Sequence, residues 1–161
     1  MRGVAWGLVT TLLGGCASAN VPPIGAERPF QMAADERRIW AEAEKEEAKL
    51  EKSGKIYDDP LLEEYLGRIG DRLLPEEVKQ AGGPGFRFTV FRDPSLNAFA
   101  MPNGRVYVHT GLLARLENEA QLATVLGHEL THVTNRDALR FQRDATNKMI
   151  ALNVLAIAAS I

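Results

Sequence analysis

The chain alternates between stretches with helical periodicity and short runs with the spacing of strands. From about Ala33 to Lys52 it is rich in Ala, Glu, Lys and Arg and contains neither Gly nor Pro, which predicts a helix. Ile39, Trp40, Ala43 and Leu50 give that helix one narrow apolar stripe, and the charged remainder is expected to face solvent. Ser53-Gly54 ends it. Asp59 can cap a second helix, and Pro60 suits its first position. Leu62, Tyr65, Leu66, Ile69 and Leu73 then recur at helical spacing, as a core-facing stripe does. Gly82-Gly83-Pro84-Gly85 breaks the pattern. Phe86 to Phe91 alternates as a strand would, and Pro94 to Asn97 turns the chain. Ala98 to Met101 and Arg105 to His109 flank Pro102-Asn103-Gly104, and Asn-Gly between two such segments signals a hairpin. A further helix is capped by Asn118, with Gln121 three residues on, and carries Leu122, Val125, Leu126, Leu130 and Val133. It breaks near Asn135, and a last helix starts at about Asp137.

The two ends of the chain read differently. Met1-Arg2 is a short positive start, and Val4 to Leu13 is an apolar run too short to cross a bilayer, which needs about twenty residues. Residues 1–15 therefore read as a signal peptide. Leu13-Gly14-Gly15-Cys16 resembles the lipobox of bacterial lipoproteins, in which Cys16 would carry the lipid; an ordinary signal peptide with an incidental cysteine is the competing reading. Ala17 after the cysteine favours, by the same resemblance, the periplasmic face of the outer membrane. Residues 16–30, small, polar and Pro-containing, read as a lipidated tether. Residues 31–161 read as the N-terminal part of a domain whose C-terminal part is missing, because Met149 to Ile161 is apolar and has no stop signal. That apolar end reads as a helix packed in the remainder, or as the start of a membrane segment.

Composition narrows the class. Of 161 residues, 45% are hydrophobic and 25% charged, with a net charge of −2, so a soluble domain is expected and nucleic acid is not an expected partner. A single cysteine rules out an internal disulfide. Three histidines are present, His109, His128 and His132.

Residues 128–132 read His-Glu-Leu-Thr-His. On a helix, side chains four apart lie on one face, so two imidazoles can turn to a common metal ion. Zinc accepts imidazole nitrogen and prefers tetrahedral ligation. Glu129, next to the first ligand, projects beside the ion, where a carboxylate can take a proton from an activated water. His128 and His132 are thus the candidate ligands of one Zn2+ per chain, and Glu129 the candidate general base. The competing reading is two surface histidines with an incidental glutamate. His109, at a strand end, is expected to be exposed or hydrogen-bonded and to have no role as a ligand.

Three stretches resemble the membrane-associated zinc metallopeptidase family that includes HtpX, the CAAX prenyl protease, BepA and LoiP. They are Tyr57 to Leu73, Asn97 to Leu113, and Glu119 through the metal motif. The lipobox matches the periplasmic lipoprotein branch. The resemblance implies a mainly helical α+β, zincin-like core with a small sheet beside the metal-motif helix. It implies that Asn97, Ala98, Phe99 and Ala100 border the cleft, where an extended substrate could pair by β-augmentation; otherwise Phe99 and Met101 are core residues. It also implies an endopeptidase that cleaves misfolded or unassembled envelope proteins. The family's third zinc ligand is a glutamate on a later helix. Past His132 the only carboxylates are Asp137, five residues on and rotated well off the ligand face, and Asp144, twelve on. No third ligand is assigned. An inactive relative acting as a periplasmic chaperone or binding module, and a structural lipoprotein with a chance motif, are the alternatives.

Overall fold

A computed structural model describes residues 21–26 and 29–158, with side chains described as far as Met149. Residues 1–15, Cys16 and the tether positions 17–20 and 27–28 lie outside the described residues. Helix α1 (Ala34–Lys52) begins where Glu36 accepts a hydrogen bond from the Ala33 N–H (3.2 Å). A short strand β1 (Ile56–Tyr57) leads to α2 (Pro60–Leu73). Asp59 caps α2 as expected, accepting from the N–H groups of Leu61 and Leu62 at 3.1 Å each. A single turn, α3 (Glu76–Gln80), precedes β2 (Arg87–Phe91), β3 (Ala98–Ala100) and β4 (Arg105–His109). The chain then passes through α4 (Thr110–Leu113), α5 (Glu119–Thr134) and α6 (Asp137–Ala158). The fold is α+β and mainly helical.

The four strands form one sheet in the order β1-β2-β4-β3. The Asn-Gly signal marks the β3–β4 hairpin, which pairs antiparallel with Ala98 opposite Val108 and Ala100 opposite Val106. Its loop is Pro102-Asn103-Gly104, closed between Met101 and Arg105, and Gly104 takes a positive φ of 87°. β2 pairs with β4 in parallel, leaving β3 at one edge and β1 at the other.

The pleat sorts side chains between two faces. Val106 and Val108 of β4, with Phe88 and Val90 of β2, face α2 and α5 and form the main core with Leu66, Ile69, Leu122, Leu126 and Leu130. α2 lies so close to β2 that Gly70 has no room for a side chain: a Cβ there would sit 2.1 Å from Phe88 Cζ. On the other face Tyr107 stacks on Phe99 with ring centroids 5.0 Å apart.

Two expectations change. On α1, Trp40 and Ala43 of the apolar stripe pack as expected, Trp40 stacked on Phe30, but Glu36, expected to face solvent with the other charges, is buried. The stretch from Val21 to Ile24 is packed on the domain rather than free: both residues are buried, and the Ile24 N–H donates to Thr134 O at 2.7 Å. Among the described residues no helix is long and apolar enough to cross a membrane.

Candidate metal centre

Helix α5 presents two kinds of surface. Leu122, Leu126 and Leu130 are buried at helical spacing against the sheet and α2, and Val133 is buried one turn nearer the end of the helix. Asn118 caps the helix by accepting from the Gln121 N–H at 3.0 Å. His128 and His132 stand one turn apart on its exposed side. Their Nε2 atoms are 3.1 Å apart, and their rings meet edge to face with centroids 4.6 Å apart. Two imidazole ligands at about 2.0–2.1 Å from a tetrahedral ion have nitrogens roughly 3.3 Å apart, so the pair has the spacing a shared zinc requires. Glu129 is 8% exposed and shares the inner face with Leu126 and Val133. It is a carboxylate set into an apolar stripe beside the first imidazole, and among the described residues no hydrogen bond engages it.

Asp137 is where helical extrapolation failed. Its Oδ2 lies 2.7 Å from His132 Nδ1. A carboxylate only accepts, so Nδ1 carries a proton, which leaves Nε2, the nitrogen facing His128, as the one that can offer a lone pair. Five residues along an unbroken helix is about 140° round the axis, which would put Asp137 out of reach. α5 instead stops at Thr134, and the chain turns through Asn135 and Arg136 before α6 starts at Asp137. The break near Asn135 was the available signal: it resets the helical phase. Because Asp137 meets the nitrogen remote from His128, it orients the ring and is not a third ligand. Among the described residues no group of three His, Cys, Asp or Glu side chains could hold a metal ion.

His109 stands apart from this pair. It is hydrogen-bonded, with Nδ1 2.7 Å from Ser95 Oγ, but it is buried rather than exposed, and its Nε2 has no partner. It packs against the Phe91 and Phe99 rings.

Of the expected cleft residues, Ala98 and Ala100 turn toward the α5 side of the sheet and pack against the main core. Phe99 points to the opposite face, in the aromatic cluster with Tyr107 and His109, so its backbone is what it offers at the edge. Asn97 is exposed, and its carbonyl accepts from the His109 N–H at 3.0 Å. A recess beside His132 is lined by Ala100, Met101, Pro102, Val133 and Ala138, which brings the end of the edge strand next to the second imidazole.

The family model described as Peptidase family M48 matches residues 60–161. The chain is 37% identical over 92 residues to the beta-barrel assembly-enhancing protease of Escherichia coli K12, covering 57% of this chain and 18% of that protein. The protein of the same name from Yersinia pestis is 38% identical over 88 residues, 55% of this chain and 18% of its own length. The mitochondrial metalloendopeptidase OMA1 of Arabidopsis thaliana is 32% identical over 88 residues, with the same coverage of 55% and 18%. The chain thus spans about a fifth of the length of these curated relatives.

Proposed function

Because the chain belongs to peptidase family M48, we propose that it is the metal-binding part of a zinc-dependent endopeptidase acting on misfolded or unassembled envelope proteins. One observation carries the reading: two imidazole Nε2 atoms 3.1 Å apart on one helical turn, one of them oriented from behind by Asp137, with the Glu129 carboxylate between them and the core. His128 and His132 would hold one zinc ion, which when bound supplies Lewis acidity toward a carbonyl and toward water. Glu129 holds the proton that water gives up and returns it to the leaving amine. The buried setting of Glu129 restricts its motion, so the carboxylate meets the reacting water in a fixed orientation.

The β3 edge, Asn97 to Ala100, takes the substrate as an added strand. Backbone pairing recognises an extended chain whatever its side chains, which suits unfolded substrates. The relatives' names support an envelope role: two are proteases of β-barrel assembly. A lipid on Cys16 would hold the domain at the periplasmic face of the outer membrane.

In the full-length protein, Glu129→Gln should retain zinc and lose cleavage of an unfolded substrate by about 10²-fold or more. Unchanged cleavage refutes the base assignment. His128→Ala should lose the metal, and stoichiometric zinc in that variant refutes the ligand assignment. A binding module without catalysis is favoured by one observation, that no third ligand joins the pair among the described residues. Stoichiometric zinc together with proteolysis by the full-length protein removes that reading.

A further inference from the structure

The break between α5 and α6 is held from outside both helices. Among the described residues Arg136 is the one non-glycine residue with positive φ, 58°. Helices commonly end on glycine in this conformation, since a side chain there is strained. The Arg136 side chain is nevertheless buried and occupied along its whole fork. Its Nε donates to Glu36 Oε1 at 2.8 Å, and Nη2 donates to Glu36 Oε2. Nη1 donates to Pro22 O at 3.1 Å, and Nη2 also to Gln31 O at 3.4 Å. Two further bonds flank it, from the Ile24 N–H to Thr134 O at 2.7 Å and from Arg140 Nη2 to Val21 O at 2.8 Å. The junction is therefore tied both to α1 and to the strap of chain from Val21 to Ile24, more than a hundred residues away in sequence.

The next residue after Arg136 is Asp137, whose contact with His132 exists only because the helix is interrupted. We infer that Arg136, gripped by Glu36 and the N-terminal strap, is a positioning residue of the metal site: it keeps the α5–α6 break in the form that sets Asp137 on Nδ1 of His132. The inference rests on the zinc peptidase reading. It explains why an arginine occupies a position where glycine would be unstrained: the turn needs only the backbone, whereas fixing it against α1 and the strap needs the guanidinium.

The test is zinc affinity, measured on the full-length protein by competition with a chromophoric chelator near neutral pH. Glu36→Gln combined with Arg136→Met removes both buried charges. Glu36→Gln combined with Arg136→Gly does so while leaving the turn free of strain. Each pair variant should weaken zinc binding about tenfold or more, the scale of lost outer-shell partners. Asp137→Ala should do the same, and adding either pair to Asp137→Ala should weaken binding no further. Wild-type affinity in the glycine pair would overturn the inference, since the turn alone would then suffice. Losses that multiply with that of Asp137→Ala would also overturn it, because Arg136 would act by another route. Far-UV circular dichroism must show both pair variants folded; if neither folds, the pair serves the fold and not the site, and the inference fails. A wild-type protein that binds no zinc would sink the peptidase reading and this inference together, whereas zinc binding indifferent to Arg136 sinks this one alone.

Discussion

Gly70 and Gly67 lie on the same helix, one turn apart, and replacing each by alanine should move stability in opposite directions. Alanine in a helix interior gains about 0.5–1 kcal/mol over glycine. At Gly67 a Cβ meets nothing within 4 Å, so Gly67→Ala should realise that gain. At Gly70 the added carbon would lie 2.1, 2.5 and 3.0 Å from Cζ, Cε2 and Cε1 of Phe88. Carbon pairs settle at about 3.5–4.0 Å, so the ring would have to retreat by roughly 1.5 Å. Phe88 is 4% exposed and packed among Leu66, Val106 and Leu126, which leaves no direction for that retreat. Overpacking of this kind costs about 1–3 kcal/mol. After the propensity gain, Gly70→Ala should lose about 1 kcal/mol net at mid-range, and the two variants should differ by the overpacking cost itself, about 1–3 kcal/mol. Urea unfolding followed by far-UV circular dichroism reads this as opposite shifts of midpoint at unchanged slope. Phe88→Leu removes the atoms that clash, so in that background the Gly70→Ala penalty should shrink by at least about 1 kcal/mol. Gly70→Ala as stable as Gly67→Ala would refute the close approach of α2 to β2 on which the core description rests.

The Asp35 carboxyl is lowered to about 2, first by its hydrogen bonds from Arg143 at 2.8 and 2.9 Å and against some cost of burial. Its folded pKa is depressed, so its contribution is complete above the unfolded value near 4 and is lost as pH falls through about 2. Allowing for solvent screening of a pair about a third exposed, Asp35→Asn should cost about 1 kcal/mol at pH 7 and almost nothing near pH 2, checked by urea unfolding at the two pH values; an equal cost at both would refute the pairing. Cys16→Ser should abolish lipid attachment, and continued labelling by a fatty-acid probe would show that the lipobox was misread.

Local signals carried most of the elements. Asp59-Pro60 and Asn118 act within three residues of their targets, and the capped helices start where those residues stand. Asn103-Gly104 likewise fixed the hairpin, although its loop closes over three residues. That His128 and His132 would stand side by side was legible because four residues on a helix is a fixed geometry. What was not legible depends on residues far apart in the chain. Nothing near Glu36 distinguishes it from the other glutamates of α1, yet it is the one buried against Arg136, a hundred positions away. The parallel pairing of β2 with β4 is equally non-local, since it requires β3 to be passed over. Asp137 lies between these cases: its partner is five residues away, but the contact depends on the state of the turn between them.

That turn also bears on how a site of two exposed imidazoles can be precise. His128 and His132 are on the open side of α5, and both are exposed. Their alignment is inherited from two supports. One is the opposite face of the same helix, where Leu122, Leu126 and Leu130 are almost sealed in the core, so the backbone carrying both rings cannot roll. The other is Asp137, which fixes the rotation of the second ring about its own axis. The first ring has no comparable support among the described residues, and its freedom is limited chiefly by its neighbour. Loss of Asp137 should therefore disorder both imidazoles, with a larger effect on zinc affinity than one hydrogen bond of about 1 kcal/mol would suggest.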